Sequence, residues 1–87
     1  MEVGNVWGEN VAVACVCFWM RMKYPKARAS VSVMLDVGKL VYHTRINLQT
    51  QNGEYFVTSF GTMAEHFNPD EYEIPDETQA QLMMLLG

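Results

Sequence analysis

The stretch KLVYHTRINLQTQNGEYFVTSF, Lys39 to Phe60, decides how the rest of the chain is arranged. Asn52-Gly53 stands between two alternating runs rich in β-branched and aromatic residues. This is the strongest short-range hairpin signal, because tight turns that match strand twist need positive φ at their centre, which Asn and Gly tolerate. In the first run Leu40, Tyr42, Thr44, Ile46 and Leu48 share one face. Val41, His43, Arg45, Asn47 and Gln49 share the other, which places His43 and Arg45 toward solvent or a partner.

Working back from the hairpin, residues 27–37 alternate with Ala29, Val31, Val33, Leu35 and Val37 on one face, and Asp36-Val37-Gly38-Lys39 supplies a second turn. Tyr24-Pro25-Lys26 reads as another turn. Residues 11–22 are continuously apolar, and periodicity alone does not separate a buried strand from a buried helix. Their Val, Phe and Trp content, with Pro25 ending the run, predicts a central strand buried on both faces. Residues 1–10 form a loosely structured lead-in, in which Glu2–Val6 fits a short strand.

Working forward, the last strand runs to about Phe60 and Gly61 ends the sheet. Thr62-Met63-Ala64-Glu65 has the spacing of a capping box, where a Thr hydroxyl and a Glu carboxylate each satisfy a free backbone N–H. Asn68-Pro69 stops that turn, and residues 68–75 form an acidic loop. Asp76 suits the N-cap of a closing helix, with Glu77 in its first turn and Leu82, Met83, Leu85 and Leu86 as its apolar stripe. The expected architecture is α+β, one domain over residues 1–87. It consists of a four-stranded antiparallel β-meander, a short helical turn near 62–67 and a C-terminal helix at about 76–86.

A domain of 87 residues buries only about 60–65% of its unfolded surface, so a homodimer or another partner is expected. The apolar fraction of 49% argues against disorder. The longest apolar run, Val11 to Met20, is half of what a membrane-spanning helix needs, and Met1-Glu2-Val3 lacks the basic region of a signal peptide. Cys15 and Cys17 would share one face of a strand, a poor geometry for a disulfide. A cytoplasmic chain without membrane contact is the expectation.

Net charge is −4, and the charges are segregated along the chain. All six cations, Arg21, Lys23, Lys26, Arg28, Lys39 and Arg45, precede Ile46, and seven acids and no cation follow it. One Cys-x-Cys with His43 and His66 lacks the paired spacing of structural zinc, and Asp70-Glu71-x-Glu73 lacks the glycine turn of a calcium loop. No nucleophile elbow or glycine-rich phosphate cradle is present. Neither catalysis nor a cofactor or metal is expected. The candidate partner-binding residues are the acids Glu65, Asp70, Glu71, Glu73, Asp76 and Glu77, and the candidate nucleic-acid contacts are Lys26, Arg28, Lys39 and Arg45.

Met1-Glu2-Val3, Lys26-Ala27-x-Ala29-Ser30-Val31, Asp36, His43-x-Arg45-Ile46, Asn52-Gly53-x-x-Phe56-Val57 and the closing helix resemble the stage V sporulation protein G (septation regulator) family. The resemblance covers about residues 26–60. It implies a small antiparallel sheet with a C-terminal helix, a dimer, and a regulator that binds nucleic acid. Residues 31–36 hold about two positions more than the family spacing, and Ser59-Phe60-Gly61-Thr62 stands where the family has Met-Pro-Ser followed by cations.

Two readings follow from these residues. The first is a non-enzymatic protein-binding module whose acidic segment docks on a basic, nucleic-acid-binding partner, by analogy with small viral inhibitors that mimic nucleic acid. The second is the dimeric nucleic-acid-binding regulator that the resemblance implies. The lack of any cation after Arg45 favours the first.

Overall fold

The structure, a computed structural model, describes residues 7–86. Its order is helix α1 (Glu9–Lys23), strands β1 (Arg28–Asp36), β2 (Val41–Gln49) and β3 (Tyr55–Met63), and helix α2 (Asp76–Leu86). Two single 3₁₀ turns, Ala64–His66 and Pro69–Glu71, lie between β3 and α2. The sheet has three antiparallel strands in the order β1-β2-β3. The α+β class holds; the four-stranded meander does not. The suggested strand at Glu2–Val6 lies outside the described residues.

The missing fourth strand is α1. Residues 11–22 coil into a helix that buries Ala12, Val16 and Met20, a stripe spaced four residues apart. Ala, Met, Arg and Lys all propagate a helix well, Glu9 sits in its first turn, and Arg21 and Lys23 sit in its last, as the helix dipole favours. Tyr24 closes it by donating its N–H to the Met20 carbonyl at 2.7 Å. The β-branched and aromatic content that suggested a strand is packed around the helix instead, so tertiary packing overrides local preference.

The strand pairings put the expected alternation in place. Tyr42, Thr44, Ile46 and Leu48 are buried, whereas His43 and Arg45 are exposed. Ile46 stands opposite Val31 on one side and Thr58 on the other. β3 runs past Gly61, which pairs with His43, and ends at Met63. The Thr62/Glu65 capping box therefore does not form: Thr62 is still in the strand, and the following turn begins after Met63 with no side-chain cap. The β2–β3 connection is a three-residue loop in which the Gly53 N–H donates to the Thr50 carbonyl and only Gly53 has positive φ, at 81°. This is a type I turn followed by a glycine bulge rather than a two-residue turn.

Both helices cover the same face, α1 lying across β1 and α2 against β3. Val16, Met20, Ile46, Leu48, Ile74 and Leu82 form one core cluster. Ala12, Val33, Tyr42, Ala64 and Phe67 form a second. The Tyr42 hydroxyl accepts from the Gly8 N–H at 3.0 Å and so ties the start of α1 to β2. At α2 the carbonyl of Pro75, rather than Asp76, takes the cap position by accepting from the Gln79 N–H at 2.9 Å; Asp76 is the first helical residue.

Candidate docking surfaces

Residues 64–78 form a strap over the helical side of the sheet. Ala64, Phe67, Ile74 and Thr78 are buried and Tyr72 is half-buried, so the strap is anchored along its length. Phe67 stacks between Tyr42 and Tyr72 at ring-centroid distances of 5.1 and 5.3 Å, a spacing that favours tilted aromatic packing. Asn68 caps the Pro69–Glu71 turn by accepting from the Asp70 N–H at 3.1 Å. Between these anchors Glu65, Asp70, Glu71, Glu73, Asp76 and Glu77 are all exposed. Among the described residues the only ion pair is Glu65 with His66, at 3.7 Å, and both side chains are largely in solvent. The six acids named from sequence thus lie on one strap.

The four candidate cations do not converge. Arg28 opens β1 opposite Gln49, and Lys26 precedes it in the turn from α1. Arg45 lies in the middle of β2, on the open face of the sheet between Ser32 and Ser59. Lys39 is in the β1–β2 turn at the far end, where the Asp36 carboxylate accepts from its backbone N–H at 3.1 Å. At about 3.4 Å per residue, a nine-residue strand separates Arg28 from that turn by roughly 27 Å. Arg21 and Lys23, at the C-terminal end of α1, stand near Lys26 and Arg28 instead, with Lys23 placed 5.9 Å from the Trp19 ring centroid.

A third surface has no counterpart in the sequence reading. The outer side of α1 and the strap at Pro69, Asp70 and Tyr72 enclose an open, mainly apolar groove of about 640 Å³. Its floor is Val11, Ala14, Cys15, Phe18 and Met22, with Trp19 along one side. Phe18 and Met22 are 65% and 68% exposed, too much for residues that serve only the core. The signal was present as the spacing of Val11, Cys15, Phe18 and Met22. It is legible only once the segment is known to be helical.

Two groups on the groove wall, Cys15 and Tyr72, are shifted toward their neutral forms. Burial pushes the Cys15 thiol up, and the neighbouring Asp70 carboxylate adds to the effect, so the thiolate is scarce at neutral pH. The Tyr72 hydroxyl is pushed up to about 12, chiefly by burial; hydrogen bonding with Thr62 opposes the shift and Cys15 reinforces it. A proton held more tightly in the folded state stabilises it fully below the unfolded value near 10, and this stabilisation is lost as pH rises through about 12. Denaturation midpoints measured between about pH 9 and pH 12 should fall more steeply for the wild type than for Tyr72→Phe.

Cys15 and Cys17, two residues apart on a helix, lie on different sides of α1 and are free thiols. His43 is on the opposite face of the sheet and His66 follows β3, so the four possible zinc ligands are not brought together. Among the described residues no group of three His, Cys, Asp or Glu is placed to hold a metal, and no helix is long and apolar enough to cross a membrane. No protein-family model, no curated protein and no solved structure matches the chain.

Proposed function

We propose that the chain is a non-enzymatic protein-binding module that acts as a cytoplasmic homodimer and docks its acidic strap on the basic surface of a nucleic-acid-binding protein. One observation carries this reading. Glu65, Asp70, Glu71, Glu73, Asp76 and Glu77 project from a segment pinned by buried Phe67, Ile74 and Thr78. Charges held in place by the fold need little reordering on binding, and an unneutralised acidic row steers a basic partner toward it.

The test is charge reversal. With Asp70, Glu71 and Glu73 all changed to Lys, capture of the partner from an extract of the native host should fall at least about tenfold, with the thermal melt preserved. Capture that survives the triple reversal contradicts the proposal.

One observation favours the second reading. The open sheet face presents Arg45 and His43, with exposed Tyr55 farther along it opposite Gln49, so that a cation can meet phosphate at one place and a ring can stack a base at another. Salt-dependent retention on single-stranded RNA or DNA, lost when Lys26, Arg28 and Arg45 become Ala, selects a regulator of the septation type instead.

A further inference from the structure

The turn after α1 and the loop after β2 meet at one end of the sheet. Ala27 donates its N–H to the Tyr24 carbonyl at 3.0 Å, and the chain then enters β1 with Arg28 opposite Gln49. A polar hollow of about 280 Å³ opens there, lined by Lys26, Arg28, Gln49, Thr50, Gln51 and Gly53. It shares Lys26, Gln49 and Gln51 with a second hollow of about 310 Å³. Tyr24, Pro25, Leu85 and Leu86 give that second hollow a mainly apolar wall.

Charge and hydrogen-bonding capacity indicate the ligand. Among the described residues no carboxylate lines either hollow, and neither Lys26 nor Arg28 is in an ion pair. The Thr50 N–H donates to the Glu54 carbonyl at 2.8 Å, and the Thr50 carbonyl accepts from the Gly53 N–H at 3.0 Å. The backbone of Thr50 is therefore satisfied. Its hydroxyl is not: it is buried and has no hydrogen-bond partner among the described residues. A buried polar group left unpaired is costly, and a ligand oxygen that accepts from it removes that cost.

Two cations, a spare hydroxyl and two side-chain amides suit a group with about two negative charges and three accepting oxygens. A phosphomonoester has both, whereas a carboxylate offers one charge and two oxygens. We propose that this end of the sheet binds a small phosphomonoester, its phosphate between Lys26 and Arg28 and its apolar or aromatic body against Tyr24, Leu85 and Leu86. Lys26, Gln49 and Gln51, which line both hollows, mark where head joins body. A nucleic-acid strand fits less well, because its phosphodiesters carry one charge and two free oxygens each and its chain must leave the hollow on both sides. The site is independent of the acidic strap and of the homodimer.

The experiment follows backbone amide shifts of the full chain by NMR near neutral pH. Phenyl phosphate should move the amides of Arg28, Gln49, Gln51 and Gly53, with a dissociation constant below about 1 mM. Inorganic phosphate, which lacks the apolar body, should bind at least about tenfold more weakly. Lys26 and Arg28 are exposed, so Lys26→Ala and Arg28→Ala should keep the fold and each weaken phenyl phosphate by about tenfold. Thr50→Val should weaken it by about fivefold, while the melt of the free protein stays unchanged or rises because an unpaired hydroxyl is gone. Adenosine monophosphate and hexyl phosphate identify the body: tighter binding of the first selects a nucleotide, and tighter binding of the second an alkyl chain. Failure of phenyl phosphate to bind, equal binding of inorganic phosphate, or indifference to the Lys26 and Arg28 changes overturns the proposal. So does displacement of phenyl phosphate by a single-stranded oligonucleotide at lower concentration than by adenosine monophosphate, which assigns the cations to a nucleic-acid strand.

Discussion

Val16→Asp should leave the chain unfolded at 25 °C, whereas Phe18→Asp, two residues away, should fold. Val16 has no exposed surface and lies between α1 and the sheet among Met20, Ile46, Leu48 and Leu82. A carboxylate there loses its water and gains no described cation as a neighbour, at a cost of several kcal/mol. A domain of this size holds only roughly 5–10 kcal/mol against unfolding. Phe18 is mostly in solvent, so an Asp at that position stays hydrated. Circular dichroism of the two variants checks the pair. A central strand covered on both faces would make both substitutions severe, so tolerance at Phe18 with loss at Val16 also reads out the helical phase of α1.

Ile46→Ala should lower stability by about 3–4 kcal/mol without changing the fold. The side chain is fully buried at the middle of β2, opposite Val31 and Thr58, and belongs to the cluster that joins the sheet to both helices. Its removal forfeits the transfer of the lost carbons from water and opens a void that neighbours from the sheet and both helices cannot close together. At about 4–8 °C per kcal/mol, the midpoint of a thermal melt should fall by roughly 12–30 °C. Met84→Ala supplies the control: Met84 is 87% exposed, and its loss should move the melt by no more than about 0.5 kcal/mol. A drop at Ile46 as small as that at Met84 would show that β2 is not the floor of the core.

Both effects turn on how the chain signals burial. β2 was legible because its two faces differ: Tyr42, Thr44, Ile46 and Leu48 point inward while His43 and Arg45 do not, and period two is visible in the letters. α2 was legible because acids crowd its start and leucines its end. α1 was not, because its second apolar stripe erases the polar face that would have revealed a period of 3.6. The end of β3 was missed for a different reason. Gly61 weakens a strand in isolation, but its backbone continues the ladder opposite His43, and pairing of that kind is invisible without the partner strand.

The same division runs through the candidate site. The acids of the strap could be named from charge alone, because the proposed docking needs only exposure and sign. The groove depends on two things at once, the phase of α1 and the approach of Pro69 and Tyr72 from more than forty positions along the chain. Neither leaves a local mark.

Each strand pairs only with its neighbour in sequence, and this has a consequence for how the chain is made. Hairpins of this kind close in about 1–10 μs, so the sheet can zip outward from its two turns as soon as they exist. The helix that covers it, however, is synthesised first. Until β1 and β2 have left the ribosome, a few seconds later at about 5–20 residues per second, α1 carries both of its apolar stripes with nothing to bury either one. The nascent chain therefore passes through an interval in which Val16 and Phe18 are equally sticky, and only the arrival of Ile46 and Leu48 tells the two sides of the helix apart.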